Sequence, residues 1–159
     1  MKACFLIFFA LLALAASPVQ AQDHQQHNMA HRGEAGMGFS QDKTTHHFFL
    51  SKDGGVIQVA ANATDDTANM QQIRMHLQHI SRAFQSGDFN IPGFVHDQTP
   101  SGVPTMIKLK GQIQYKYEEV TRGGRVVISS TNAEAVAAVQ EFLRFQIREH
   151  KTGDALEVK

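Results

Sequence analysis

The stretch Thr45-His46-His47-Phe48-Phe49-Leu50-Ser51-Lys52-Asp53-Gly54-Gly55-Val56-Ile57-Gln58-Val59-Ala60-Ala61 decides the fold class. Aromatic and β-branched residues fill its two ends, and Asp53-Gly54-Gly55 between them suits positive φ. The segment therefore predicts a strand over 45–50, a turn, and a second strand over 56–61. Immediately downstream the period changes. Met70, Ile73, Leu77, Ile80 and Phe84 recur at three- and four-residue intervals, after a Thr64-Asp65-Asp66 start signal and before Gly87, which predicts an amphipathic helix.

The same order returns later in the chain. Ile107, Leu109, Ile113, Tyr115 and Tyr117 alternate with Lys108, Lys110, Gln112, Gln114 and Lys116, the period-two pattern of a strand with one buried face. A second hairpin closes through Arg122-Gly123-Gly124 into 125–129. A final helix starts at a Thr131 and Glu134 capping-box pattern, buries Val136, Val139, Leu143 and Ile147, and stops before Gly153. Ser86-Gly87-Asp88 and Thr152-Gly153-Asp154 close the two halves alike. Between the halves, a segment with Pro92, Pro100 and Pro104 reads as a linker. The expected fold is α+β: tandem ββα-ββα units forming one antiparallel sheet with two helices packed on one face.

Upstream, Lys2, the apolar run from Phe5 to Ala16 and the small residues of Val19-Gln20-Ala21 read as a signal peptide over residues 1–21. The apolar run is short for a membrane span of roughly 20 residues. Residues 22–38 lack apolar periodicity and read as a flexible tail bearing His and Met, and 39–159 as a single domain. Cys4, the one cysteine, falls within the expected signal peptide, so neither a disulfide nor a thiolate site is expected after cleavage. The 15 basic residues equal the 15 acidic ones, a balance unlike that of an electrostatic nucleic-acid binder.

All nine histidines lie beyond residue 21. Cleavage after Ala21 would leave Gln22-Asp23-His24, whose terminal amine, two amides and imidazole form a square-planar set that favours Cu(II) or Ni(II) over Zn(II). His27, Met29, His31 and Met37 add imidazole and thioether donors, and thioethers suit Cu(I). The plainer reading of the tail is a solvated linker.

In the domain, His46 and His47 are adjacent on a strand and so point to opposite faces, His46 with Phe48 and Leu50, His47 with Phe49. A hydrogen-bonded core residue is the structural alternative for His46. His76 and His79 stand three apart on the first helix and can converge on one ion or a haem edge, or simply form a wet helix face. His96 lies in the proline-rich segment, where a further ligand could approach. His150, in the last turn of the second helix, reads as a favourable partner of the helix C-terminus.

The strings Gly38-Phe39-Ser40-Gln41-Asp42-Lys43-Thr44-Thr45-His46-His47-Phe48, Ile73-Arg74-Met75-His76-Leu77-Gln78-His79-Ile80, Gly87-Asp88-Phe89 and Phe142-Leu143-Arg144-Phe145-Gln146-Ile147 resemble a family of small exported bacterial proteins. The resemblance covers most of residues 38–154. Members often carry the label aspartate carbamoyltransferase, whose Ser-Thr-Arg-Thr-Arg phosphate-binding segment this sequence lacks. It implies export and a shared fold, and transfers no catalytic residue. Phosphate loops, nucleophile elbows and zinc-protease helices are also absent from the sequence, so no reaction is defined.

The expected function is a periplasmic or secreted transition-metal-binding protein acting in metal buffering, delivery or tolerance. Copper is favoured over nickel or zinc, with His24, His27, Met29, His31, His46, His47, His76, His79 and His96 as candidate ligands. The alternatives are a non-catalytic interaction module that binds a periplasmic protein or a small ligand, and haem binding through a histidine pair. Neither nucleic acid nor stable membrane insertion after signal cleavage is expected.

Overall fold

The structure, a computed structural model, describes residues 32–158. The expected signal peptide and the tail ligands His24, His27, Met29 and His31 lie outside the described residues.

Residues 32–37 are helical (α1). They are followed by β1 (Thr44–Ser51), β2 (Gly54–Ala61), α2 (Thr67–Ser86), α3 (Asn90–His96), α4 (Val103–Lys108), β3 (Gln114–Val120), β4 (Gly123–Ser129) and α5 (Ala133–His150). The four strands form one antiparallel sheet in the order β1-β2-β4-β3, so two hairpins join through their second strands. This is the expected α+β class. The pairing order does not by itself demonstrate the expected tandem repeat.

Alternation along the strands sends Phe48, Leu50, Ile57, Val59, Val126 and Ile128 to one face, where all are buried. α2 covers mainly β3 and β4 with Ile73, Leu77, Ile80 and Phe84, and α5 covers β1 and β2 with Val139, Leu143 and Ile147. Each long helix thus lies against the hairpin that it does not directly follow.

The glycine pairs are placed differently from the expectation. Ser51 pairs with Gly54 and Val120 with Gly123, so the two-residue turns are Lys52-Asp53 and Thr121-Arg122, and the glycines open the returning strands. Of the four, only Gly54 has a positive φ. Close packing explains the inner pair. A β-carbon on Gly55 would run into the Phe49 carbonyl oxygen and the Leu143 side chain. One on Gly124 would stand 2.7 Å from the Tyr117 ring and 3.2 Å from a Leu77 methyl. The bare backbone at these points lets both helices settle onto the sheet.

The proline-rich segment is helical rather than an irregular linker. Pro92 and Pro104 fall in the first turns of α3 and α4, where a missing N–H and a fixed φ cost little. The alternation read from Ile107 onward belongs in part to α4 and to a 3-10 turn at Lys110–Gln112, so the strand starts only at Gln114. Asp66 caps α2 by accepting from the Asn69 N–H at 3.1 Å. α5 is capped by Asn132, one residue after the expected Thr131. The Asn132 side-chain oxygen accepts from the N–H groups of Glu134 and Ala135 at 2.8 and 3.2 Å. Among the described residues, no helix is long and apolar enough to cross a membrane.

Candidate functional site: an imidazole-lined cavity

His46 leaves β1 on the face shared with Phe48 and Leu50, and so points under the helices. His76 borders the Ile73 and Leu77 stripe of α2, and His96 and His150 are the last residues of α3 and α5. These four side chains, from four elements, line one cavity of about 70 Å³. The His46 and His150 rings stack with centroids 5.5 Å apart, and His96 meets His150 edge to face at 5.1 Å. Phe39 forms part of the surrounding wall, stacked on His46 at 6.0 Å and edge-on to His76 at 5.5 Å. Met37 brings a thioether side chain to the same lining, and Phe48, Phe84 and Phe142 supply apolar surface.

The four imidazoles and the Gln146 amide are the polar side chains among the described lining residues; no carboxylate, hydroxyl or thiol is among them. His96 is only 7% exposed. Its Nε2 lies 3.0 Å from Gln146 Oε1, so that nitrogen carries the proton and donates, which leaves Nδ1 as an open lone pair. His96 Nδ1 and His46 Nε2 are both buried without a hydrogen-bond partner, and the Glu149 carboxylate stands 4.0 Å from the former.

Burial disfavours the charged form of each ring. It lowers His46 to about 4, with His47 adding to the effect, and His76 to about 4, helped by His46 and His79. His150 is lowered to about 3 by burial and then by His46 and His96. His96 is also lowered, chiefly by burial, although Gln146 and Glu149 oppose the shift. Near neutral pH the cavity therefore presents neutral imidazoles, each with a lone pair as well as an N–H.

Of the expected domain ligands, His46, His76 and His96 meet here, while His47 and His79 do not line the cavity. His79 is exposed on α2. His47 lies on the opposite face of the sheet, with Nδ1 2.9 Å from Asp154 Oδ1 and its ring stacked on Phe49 at 5.5 Å. The expectation for His150 is corrected: its ring is turned into the cavity and its pKa is depressed, whereas a helix C-terminus would favour the cation. A sequence signal for it existed. Val139, Phe142, Gln146 and His150 continue the inward stripe of α5 at three- and four-residue steps, one turn beyond Ile147. Among the described residues, no group of three or more His, Cys, Asp or Glu side chains is arranged to hold a metal ion.

Comparisons with protein-family models, with curated proteins and with solved structures gave no match.

Proposed function

We propose that this chain is an exported, non-catalytic transition-metal-binding protein, with copper as its metal and the imidazole cavity as the site in its folded domain. The observation that supports this most is the gathering of four imidazoles around one cavity, with two ring nitrogens among them, His46 Nε2 and His96 Nδ1, buried without a hydrogen-bond partner. Leaving a buried polar atom unpaired costs roughly 1–3 kcal/mol, a cost that coordination at these nitrogens would remove. Imidazole suits either oxidation state of copper. Buffering or delivery in the periplasm or outside the cell follows from this reading together with the signal-like first 21 residues, and His24, His27, Met29 and His31 would supply a second donor set.

Copper titration of the full chain, alongside one variant with the four tail donors replaced and another carrying His46→Phe and His96→Leu, tests the assignment. Saturable binding that survives the tail changes and disappears in the cavity variant is expected. Binding lost only with the tail would remove the cavity from the assignment, and no saturable binding in the unaltered chain would remove the function itself.

One observation favours a second reading. Apolar walls carrying a few neutral imidazoles also suit a small neutral molecule that hydrogen-bonds to those rings. Copper-independent binding of such a molecule, lost with His96→Leu, would mark that case.

A further inference from the structure

We propose that residues 32–38 form a hinged cover on the imidazole cavity, pinned at Phe39 and latched by Arg32, and that an occupant reaches the imidazoles when this cover opens. The inference rests on the reading of the cavity as a binding site and adds how that site is entered. It holds for a metal ion and for a small neutral molecule alike.

Placement is the first argument. Arg32 Nε donates to the Val95 carbonyl at 3.0 Å. A β-carbon on Gly36 would stand 3.4 Å from a Val95 methyl and 3.9 Å from an Ile91 methyl. Ile91 and Val95 both line the cavity, and Met37 joins them there. The segment therefore lies along the α3 wall and reaches the cavity at its own C-terminal end.

The way the segment is held is the second argument. Among the described residues, the Arg32 bond is the one hydrogen bond between residues 32–38 and the rest of the domain. The bond from the Gly38 N–H to the Glu34 carbonyl, at 2.9 Å, is internal and lets α1 turn as one piece. Glu34, Ala35 and Gly38 are exposed, and Met37 is half-buried. Phe39, by contrast, is buried against the rings of His46 and His76. Segments with few buried contacts open at low free-energy cost. Gly38 stands where the loose and the anchored parts meet. Its φ of +77° favours glycine, and a β-carbon there would meet no atom within 4 Å, so the position suits a hinge.

Closure also leaves a group unsatisfied. The Gln41 side chain folds against the bare backbone of Gly33, and its Nε2 is buried without a hydrogen-bond partner. Swinging α1 away returns that amide to water. The Arg32 bond and the burial of Met37 are thus set against one unpaired amide, a balance that suits a cover which opens and closes.

The test reads imidazole access directly, in the metal-free full chain carrying Cys4→Ser. Diethyl pyrocarbonate acylates neutral imidazole, and mass spectrometry of the digested protein gives a rate for each histidine. His79, exposed on α2, is the internal reference. Arg32→Ala should raise the rates at His46 and His150 by roughly tenfold relative to His79, with the thermal midpoint unchanged. A second variant carries Gly36→Cys and Ile91→Cys, at positions close enough for a disulfide. Its oxidised form should suppress reaction at His46 and His150, and a reductant should restore it. Because that variant is compared with itself, it decides the matter even if Arg32→Ala folds poorly. Equal rates at His46 and His150 in its oxidised and reduced forms would overturn the cover. Copper uptake by the same variant separates this inference from the reading beneath it. Copper bound equally fast in both forms would remove the cover and leave the binding site, whereas no copper binding alongside disulfide-dependent acylation would keep the cover and remove the metal.

Discussion

His46 and His150 lie ring over ring, their centroids 5.5 Å apart and their planes within 14° of parallel, although they come from the edge strand and from the last residue of the chain's final helix. His46 lowers the affinity of His150 for protons, in addition to the larger effect of burial. A proton on either ring would place a cation against its neighbour in an apolar wall.

This arrangement predicts acid sensitivity in the metal-free protein. In the unfolded chain these imidazoles take up protons near their ordinary value of 6.5, whereas in the folded chain His46 and His76 do so only near 4 and His150 near 3. Between those limits the unfolded state binds more protons, so stability falls as pH falls from about 6.5, and the histidine contribution levels off below the folded values. Thermal unfolding followed from pH 8 to pH 4 should show a plateau and then a decline. Removing one such group in His150→Leu should make the decline shallower by about 1.4 kcal/mol per pH unit. A parent protein equally stable at pH 7 and pH 4.5 would refute the neutral cluster.

The strand glycines give a second expectation. At Gly55 an added methyl meets both the Phe49 carbonyl, which is fixed backbone, and Leu143. At Gly124 it meets only side chains, those of Tyr117 and Leu77. Gly55→Ala should therefore cost about 1–3 kcal/mol and Gly124→Ala less, because side chains yield more readily than a hydrogen-bonded strand. Urea midpoints of the two variants measure this, and the reverse order would show that helix–sheet spacing is not set at these positions.

These glycines also show where sequence reasoning reached its limit. The sheet, the two long helices and the inward set of Ile73, Leu77, Val139 and Leu143 follow from periodicity, because one buried face repeats every two or every 3.6 residues. A glycine that permits close approach looks the same in sequence as one that makes a turn. Six residues such as Val103–Lys108 are too few to separate a helical pattern from an alternating one. His46 was legible as a candidate from its alternation with Phe48 and Leu50, His76 from its three-residue spacing with His79, and His96 from its place in the proline-rich segment. Their meeting with His150 depends on α5 crossing β1, a contact between residues about one hundred positions apart that no local pattern encodes.

The start of α5 tests a one-residue distinction. Asn132 supplies the capping oxygen, while the preceding Thr131 is exposed. Asn132→Ala should cost about 1 kcal/mol in denaturant unfolding, and Thr131→Ala close to nothing. Equal losses would return the cap to the position read from the capping-box pattern.

Asp154 joins the chain's last residues to the edge of the sheet. Its Oδ2 accepts from the Phe48 N–H at 2.9 Å, on the side of β1 that has no neighbouring strand, while its Oδ1 pairs with His47 Nδ1 at 2.9 Å. Burial pushes the Asp154 carboxyl up, but the hydrogen bonds involving Thr152, Phe48 and His47 outweigh it and hold the pKa below the usual 3.8. The stabilisation is therefore present above that value and is lost only as pH falls below it, in a more acidic window than the onset of histidine protonation. Asp154→Ala should cost roughly 1.5–3 kcal/mol, the range for hydrogen bonds to a charged group, and should speed hydrogen exchange at the Phe48 amide. His47→Ala should leave that amide protected, because the second carboxylate oxygen remains in place. An uncapped β1 also exposes backbone donors to pairing with another chain, so the Asp154 variant should self-associate more readily on concentration. If Phe48 exchanges equally slowly in both variants, the carboxylate does not close this edge.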